Sequence, residues 1–270
     1  MPFLELAQHR LHYLAEGPAD APWLTFCNSL GTDLTMWAPQ VSALAGHVRI
    51  LRYDRRGHGQ SSAPPGPFDV ADLAADVLAL WDGLGIERSH FCGLSIGGLT
   101  GQWLGVHAPY RLRTLTVAAT AAKIGSAESW QARIAQVRQH GLRPLVAGTG
   151  ERWFSAAFAQ AHAAQVDDVL QRFLATDVEA YTGCCHAVAT ADFRTQLDRI
   201  DVPLLAIAGD EDPVCPPPDL RAIADGVVAG QWLAVPGRHL CNLESPAAFT
   251  AALATHLSMP EAASHPRSAR

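Results

Sequence analysis

Ser95 lies in a pattern that predicts a catalytic nucleophile. Residues 93–97 read GLSIG, a G-x-S-x-G match that follows a short apolar run and precedes apolar residues at helical spacing. Between a strand and a helix, this pattern predicts a strained turn that exposes the serine above a helix N-terminus. Glycine is needed at 93 and 97 because the two backbones pass too close for a Cβ atom. A chance match is the alternative, and the flanking strand and helix argue against it.

A serine nucleophile needs a base, and the base needs an acid that orients it. Three acidic residues, Asp210, Glu211 and Asp212, follow one late predicted strand, and His239 follows the last one. Because the carboxyl ends of parallel strands meet at one edge of a sheet, we expect these side chains to converge on Ser95. Serine, acid and histidine in this chain order predict a serine hydrolase. A solvated loop histidine is the alternative for His239.

The tetrahedral intermediate of such a reaction needs two backbone N–H donors for its oxyanion. One is expected from Ile96, directly after the serine, and the other from Leu30, in the turn-rich segment 28–32 after an early strand. Ser29 is the second choice for that donor and a candidate substrate contact. A plain polar turn is compatible with this interpretation, since the donors belong to the main chain.

The elements that must position these residues alternate along the chain. Short apolar runs predict strands covered on both faces, and stretches such as 69–84 carry apolar residues at helical spacing. Predicted strands cover residues 3–6, 10–15, 23–27, 48–53, 89–94, 112–118, 203–209 and 232–235, and predicted helices cover 36–44, 69–84, the segment after 95, 219–225 and 246–257. This alternation predicts an α/β fold with a mostly parallel, doubly wound sheet.

Helical patterns alone occupy the stretch 126–192, late in the predicted sheet. An insertion at this point would lie over the carboxyl edge of the sheet, where open α/β folds bind ligands. We therefore predict a core of residues 1–125 and 193–258, a helical cap of 126–192 and a flexible tail of 259–270. A pair of ordinary crossover helices is the alternative to the cap.

Composition narrows the classes of partner. The 270 residues are 49% hydrophobic and 17% charged, which is typical of a soluble globular enzyme. A net charge of −6 argues against nucleic acid or an anionic membrane surface as a partner. No apolar run is long enough to span a bilayer, and the N-terminus lacks the features of a signal peptide. Six cysteines without metal-ligand spacing favour reduced thiols, a cytoplasmic location and no bound metal.

Three motifs resemble those of the α/β-hydrolase superfamily. They are DRRGHGQS at 54–61, GLSIGG at 93–98 and GDEDP at 209–213. Other segments resemble one family within it, the 3-oxoadipate enol-lactonases of the β-ketoadipate pathway of aromatic catabolism. These are CNSLGTD at 27–33, where most relatives carry His-Gly, WQARI at 130–134, ERWF at 151–154, GCC at 183–185 and HLCNLE at 239–244. The resemblance covers nearly the whole chain and departs from the usual pattern at Arg238, where a small residue is commoner.

This resemblance implies both a site and a reaction. The triad of the family falls on Ser95, Asp212 and His239, with Asp210 as the alternative acid. The implied reaction is hydrolysis of a small anionic enol-lactone through an acyl-serine, with no metal or organic cofactor. A general carboxylesterase or a carbon–carbon bond hydrolase is an alternative, because fold and triad do not select a substrate. A non-catalytic receptor for a small molecule is a further alternative, and the intact triad argues against it.

Recognition of a substrate carboxylate by a chain of net charge −6 must be local. Arginine suits this role because its planar guanidinium can bind a carboxylate through two N–H groups. Arg133 lies three residues after Trp130, so both are expected on one face of a cap helix, with Trp130 as an apolar wall. Arg56 and Arg238 are competing cations. The alternatives are that Trp130 only packs cap helices together and that Arg133 is solvated.

Overall fold

An eight-stranded sheet forms the centre of the fold. The computed structural model describes residues 2–258, and the predicted tail 259–270 lies outside them. The strands are β1 (Phe3–Glu5), β2 (Arg10–Glu16), β3 (Trp23–Cys27), β4 (Arg49–Tyr53), β5 (Ser89–Leu94), β6 (Leu112–Ala118), β7 (Leu204–Gly209) and β8 (Gly230–Val235), in the spatial order β1-β2-β4-β3-β5-β6-β7-β8. β2 pairs antiparallel with β1 and β4, and all other neighbours are parallel. The predicted α/β fold with a mostly parallel sheet is confirmed.

The parallel strands bring their carboxyl ends to one edge of the sheet. Cys27 of β3 pairs with Gly93 of β5, and Leu94 of β5 continues the edge toward β6. At the other end, Gly209 of β7 pairs with Val235 of β8. The segments that follow β3, β5, β7 and β8 therefore share this edge. These segments carry the predicted oxyanion donors and the predicted triad.

Helices connect the strands and cover the sheet. They are α1 (Ala38–Leu44), α2 (Val70–Gly83), α3 (Ile96–His107), α4 (Ala127–His140), α5 (Val146–Trp153), α6 (Ala156–Ala161), α7 (Ala163–Leu174), α8 (Val178–Thr190), α9 (Pro217–Gly226), α10 (Cys241–Glu244) and α11 (Pro246–Leu257). α3 packs against β5 and β6, α2 against α3, and α11 against β6 and β7. Every residue of β5 and β7 is buried, as expected for strands covered on both faces.

The described chain between β6 and β7 contains helices α4 to α8 and no strand. α4 begins after Ser126, whose side chain forms a reciprocal capping box with Ser129. α4 packs against α8, and α5 packs against α7. The helical content agrees with the sequence pattern, whereas the role of this region as a cap and its bounds stay predictions.

The structure differs from the sequence-based expectations mainly at the ends of elements. The helix expected over 36–44 begins two residues earlier as a 3₁₀ turn, because the Asp33 side chain accepts the Thr35 amide and caps it. α10 was not expected, since four residues are too few to show a helical period. All six cysteines are buried and unpaired, in agreement with the prediction of reduced thiols. Among residues 2–258, no helix combines the length and apolar character needed to cross a membrane.

Candidate active site

Ser95 occupies the turn between β5 and α3 in a strained backbone conformation. Its φ of 60° and ψ of −119° lie outside the regions that residues with a side chain favour. The Ser95 amide donates to the carbonyl of Ala118 at 2.9 Å, and the Ser95 carbonyl accepts from the Thr120 hydroxyl at 2.8 Å. These bonds tie the strained turn to β6 and the residues after it. Since α3 begins at Ile96, the serine lies at a helix N-terminus.

Two glycines allow this turn to form. A Cβ atom on Gly93 would lie 2.1 Å from the carbonyl oxygen of Gly97, and one on Gly97 would lie 2.2 Å from that of Cys27. Both contacts involve backbone, so rotation of a side chain cannot relieve them. Gly97 thus packs α3 directly against the end of β3, which brings Ser95 to the segment that carries Leu30.

We expect Gly97→Ala to lower the free energy of unfolding by about 3 kcal/mol or more, the upper end of the range for overpacking. The reason is that β3 and α3 must separate to admit the methyl group. Chemical denaturation monitored by circular dichroism measures the change. Gly46→Ala is the control, because a Cβ at the exposed Gly46 meets no atom within 4 Å. Equal stability of the two variants would contradict the close packing described for Gly97.

Leu30 and Ile96 carry the predicted oxyanion donors. Within residues 2–258, neither of these two amides donates a hydrogen bond to another residue. The amides on either side of Leu30 are engaged, that of Ser29 with the Met36 sulfur at 3.4 Å and that of Gly31 with His58 Nε2 at 3.0 Å. Two N–H groups at the carboxyl edge of the sheet are thus available to a developing oxyanion.

His58 fixes the conformation of the turn beside Leu30. Its Nδ1 lies 3.0 Å from the carbonyl oxygen of Arg56, which can only accept, so the proton resides on Nδ1 and Nε2 accepts from Gly31. Burial, with a smaller contribution from Arg55, lowers the pKa of His58 to about 4. The ring is therefore neutral at neutral pH, as its role as an acceptor requires.

His239 forms a buried pair with one of the three acidic residues that follow β7. Its Nδ1 lies 2.8 Å from Asp212 Oδ2, and both side chains are buried. The other carboxylate oxygen of Asp212 accepts the Val214 amide at 2.7 Å, which fixes the orientation of the carboxylate. Asp210 is exposed and accepts the Gly237 amide instead. The geometry therefore pairs His239 with Asp212 and leaves His239 Nε2 free for a proton from the nucleophile.

Cys215 completes a buried group whose potential metal-ligand atoms all lie within 4.8 Å of one another, together with Asp212 and His239. A thiol binds a metal as the thiolate. Burial, with the Asp212 carboxylate, raises the pKa of Cys215 well above its ordinary value. Because His239 Nδ1 is already bonded to Asp212, the group has the chemistry of an oriented base rather than of a metal ligand set.

The C-terminal end of α5 lies against His239. The His239 amide donates to the carbonyl of Arg152 at 3.4 Å, and the Leu240 amide donates to that of Trp153 at 3.1 Å. α5 belongs to the helical region between β6 and β7, so this region reaches the edge of the sheet where His239 lies.

The aromatic rings of Phe173 and Tyr181 lie between Arg133 and the segment that carries Leu30. Its guanidinium stacks over the Trp130 ring at 5.1 Å and donates to the Tyr181 hydroxyl at 3.4 Å. The Tyr181 ring contacts Phe173, and a Cβ on Gly31 would lie 2.6 Å from Phe173 and 3.6 Å from Tyr181. Arg133 is half-buried rather than fully solvated.

Trp130 and the two competing arginines have partners of their own. The Trp130 indole donates to the carbonyl of Ile124 at 2.8 Å, and contact of its ring with substrate stays a prediction. Arg56 is buried and binds both oxygens of Asp76, at 2.7 and 2.8 Å, which leaves it a structural role. Arg238 donates to the carbonyl of Glu151.

Most of the chain matches the model of one protein family. The family model described as the alpha/beta hydrolase fold matches residues 22–246, which include the turn at Ser95, the turn at Leu30 and the Asp212–His239 pair. The chain belongs to the α/β-hydrolase family.

Two curated members of this α/β-hydrolase family resemble the chain over most of its length. It is 43% identical to 3-oxoadipate enol-lactonase 2 of Acinetobacter baylyi, over 90% of this chain and 91% of that protein. It is 42% identical to 3-oxoadipate enol-lactonase 1 of the same organism, over 86% and 87%. The crystal structure of the enol-lactonase from Burkholderia xenovorans LB400 superposes with a TM-score of 0.94 at 39% identity, covering 96% of this chain and 100% of that one. The resemblance drawn from the sequence motifs is confirmed.

Sequence reasoning assigned no role to two residues of this α/β-hydrolase that contact the turn around Leu30. Arg55 and His58 both belong to the motif at 54–61, which served only as a family signature. A signal was present: glycines at 57 and 59 indicate a tight loop after a strand, and such loops lie at the functional edge of the sheet. Which segment the loop contacts could be learned only from the structure.

Proposed function

We propose that this chain is a 3-oxoadipate enol-lactonase, a serine hydrolase that opens the lactone ring of 3-oxoadipate enol-lactone. The observation that carries the proposal is the buried Asp212–His239 pair at the sheet edge where Ser95 occupies its strained turn. The identities of 43% and 42% to proteins of that name support the choice of substrate. We assign Ser95, Asp212 and His239 as the catalytic triad.

In the first step, His239 Nε2 takes the proton of the Ser95 hydroxyl as the serine oxygen attacks the lactone carbonyl. The Asp212 carboxylate holds Nδ1–H and stabilises the imidazolium that forms. Negative charge develops on the former carbonyl oxygen. The amides of Leu30 and Ile96 are assigned to receive it, since preorganised donors in a site without water stabilise such charge most strongly.

Collapse of the tetrahedral intermediate breaks the ring C–O bond, and the enolate oxygen leaves while remaining tethered to the acyl group. The enolate takes up the proton held by His239 and tautomerises to the ketone, which makes ring opening effectively irreversible. His239 then removes a proton from water as the water oxygen attacks the acyl-serine. The bond to the Ser95 oxygen breaks, His239 returns its proton to that oxygen, and 3-oxoadipate is released. These steps use only side chains, backbone amides and water.

The substrate carries a free carboxylate, and we propose that Arg133 binds it. The guanidinium has no carboxylate partner among residues 2–258, and its contacts with Trp130 and Tyr181 restrict its position. Aromatic rings of Phe173 and Tyr181 lie between it and the turn at Leu30. An apolar wall next to a cation matches a small lactone that carries a negative charge.

Arg133→Ala is expected to reduce kcat/KM for the anionic enol-lactone by a factor that corresponds to about 1.5–3 kcal/mol, the scale of a hydrogen bond to a charged group. Turnover of the neutral ester p-nitrophenyl acetate should be nearly unchanged. Arg138→Ala is the matched control, because Arg138 lies on the same helix, is exposed and pairs with exposed Glu179 at 3.6 Å. Equal losses on both substrates would indicate structural damage and remove Arg133 from the carboxylate site.

A panel of substrates tests the proposed function as a whole. The enol-lactone derived from muconolactone should be hydrolysed with a kcat/KM far above those of p-nitrophenyl esters. A general carboxylesterase on the same scaffold would reverse this order, and a non-catalytic receptor would hydrolyse neither at an enzymatic rate. The curated relatives favour the lactonase over both alternatives.

We also propose that residues 126–192 act as a cap over Ser95 and exclude water during acylation. Support comes from α5, whose last residues bind the amides of His239 and Leu240. The remaining residues up to 258 would then form the core. A cytoplasmic location is the further proposal, supported by six buried cysteines that form no disulfide.

A further inference from the structure

Arg55 lies directly behind the turn that carries Leu30. Its side chain is almost completely buried, with 1% of its surface exposed. One terminal nitrogen donates to the carbonyl of Asn28 at 2.8 Å and contacts the Cys27 sulfur at 3.4 Å. The other donates to the carbonyl of Ser29 at 3.3 Å. The guanidinium thus binds two consecutive carbonyl groups of the turn.

No carboxylate in the part of the chain that the structure describes balances this buried charge. In residues 2–258, Arg55 forms no ion pair, and its Nε has no hydrogen-bond partner. Burial acts to lower the pKa of Arg55, but electrostatic interactions with the ionisable groups Cys27, Tyr53 and Cys184 outweigh burial, so the pKa lies above its ordinary value. A guanidinium remains charged in proteins. The next residue, Arg56, is also buried and is neutralised by Asp76. Burying an unpaired cation is costly, and pairing with carbonyl oxygens offsets only part of the cost.

The carbonyl of Ser29 belongs to the same peptide group as the amide of Leu30. A cation that binds a carbonyl oxygen withdraws electron density from the whole peptide group, so the N–H on the other side becomes a stronger donor. The Ser29 carbonyl also accepts the Thr32 hydroxyl at 2.9 Å, which acts in the same direction. In a site of low dielectric, the charge of the guanidinium adds a direct attraction for an oxyanion.

We propose that Arg55 is a positioning residue that strengthens the oxyanion donor at Leu30, because it binds the Ser29 carbonyl of that peptide group and places an unpaired positive charge behind it. This inference rests on the proposed serine-hydrolase function, but not on the identity of the lactone. The adjacent Gly31 amide is held by His58 on the other side of the turn, whereas the Leu30 amide donates to no other residue within residues 2–258.

Arg55→Met and Arg55→Lys test the proposal with p-nitrophenyl acetate, whose hydrolysis needs the oxyanion site but no carboxylate recognition. We expect Arg55→Met to lower kcat about 10- to 100-fold, less than the about 10²–10³-fold loss when an oxyanion donor is removed outright. KM should change by less than about twofold, because the charge acts mainly when the oxyanion forms. Arg55→Lys keeps the charge and should recover at least half of the loss on a logarithmic scale.

The inhibition constant of phenylboronic acid is a quantity that a purely structural role of Arg55 would leave unchanged. The boron of this acid forms a tetrahedral anion with a serine hydroxyl, so its inhibition constant should rise in Arg55→Met by the same factor by which kcat/KM falls. Binding of the product 3-oxoadipate, which forms no such adduct, should stay within about twofold. Arg56→Lys, the counterpart of Arg55→Lys one residue away, should lower thermal stability without changing the affinity for the boronate.

Three outcomes would overturn the assignment. They are an unchanged kcat in folded Arg55→Met, an unchanged inhibition constant for the boronate, and equal weakening of boronate and product. If Arg55→Met does not fold, the boronate affinity of Arg55→Lys tests the proposal instead. A lysine cannot bind both carbonyls, so this variant should bind the boronate measurably more weakly than the wild type. A wild-type protein that hydrolyses p-nitrophenyl acetate but not the enol-lactone would contradict the proposed substrate alone. The tests of Arg55 with p-nitrophenyl acetate and with the boronate would be unaffected.

Discussion

Replacement of Ser95 by alanine is expected to reduce kcat for the enol-lactone and for p-nitrophenyl acetate by about 10⁴- to 10⁶-fold, the range for loss of a triad nucleophile. The acyl-enzyme cannot form without the hydroxyl. We expect a residual rate, because the proposed oxyanion donors, the amides of Leu30 and Ile96, should still stabilise attack by water. Steady-state kinetics measure the loss, and mass spectrometry after mixing with p-nitrophenyl acetate detects an acetylated wild-type protein but no acetylated variant.

The fold should tolerate this change. Alanine retains the Cβ atom of Ser95, and the two hydrogen bonds that hold the strained turn involve only the backbone of this residue. Thermal unfolding of Ser95→Ala should therefore match that of the wild type within a few degrees. An active Ser95→Ala variant, after exclusion of contaminating esterase, would rule out the proposed mechanism.

Asp212→Asn is expected to lower kcat by about 10³- to 10⁴-fold while the protein remains folded. An asparagine cannot stabilise the imidazolium, and its amide group can hold His239 in the wrong tautomer. Asp212 Oδ2 is the acceptor of the His239 proton at 2.8 Å, so the effect should appear in kcat far more than in KM. Steady-state kinetics with the enol-lactone measure both parameters.

Asp210→Asn is the matched control for Asp212→Asn, since both carboxylates lie in the same turn. Asp210 is exposed and accepts only the Gly237 amide, a bond that an asparagine oxygen can also accept. We expect less than about a threefold change in kcat, as for other surface substitutions away from a site. If Asp210→Asn lowered kcat more than Asp212→Asn, Asp210 rather than Asp212 would be the acid that orients His239.

Much of the fold was predictable from the sequence because the signals are local. A buried strand such as β5 shows as an uninterrupted apolar run, and the steric need for glycine at 93 and 97 marks the turn at Ser95. His239 was predictable because it follows the last strand, and the carboxyl ends of parallel strands share one edge.

Other features depend on contacts between distant segments, which leave no local pattern. The residues alone did not distinguish Asp212 from Asp210, and only the family resemblance favoured one. The structure distinguishes them through the Val214 amide, which orients the Asp212 carboxylate. Similarly, the bonds from Arg55 to the carbonyls of Asn28 and Ser29 span 27 and 26 residues of sequence. Spacing in the motif at 54–61 could not identify these partners.

The bonds from the end of α5 to the amides of His239 and Leu240 limit how freely this scaffold can be recombined. An insert between two strands is a natural module for exchange between homologues, because the sheet can close without it. Here the insert also holds the backbone of His239, the proposed general base, through the carbonyls of Arg152 and Trp153. A chimaera that acquires a new substrate range by grafting another insert must therefore reproduce this two-residue junction, or the base will be displaced although the triad itself is intact.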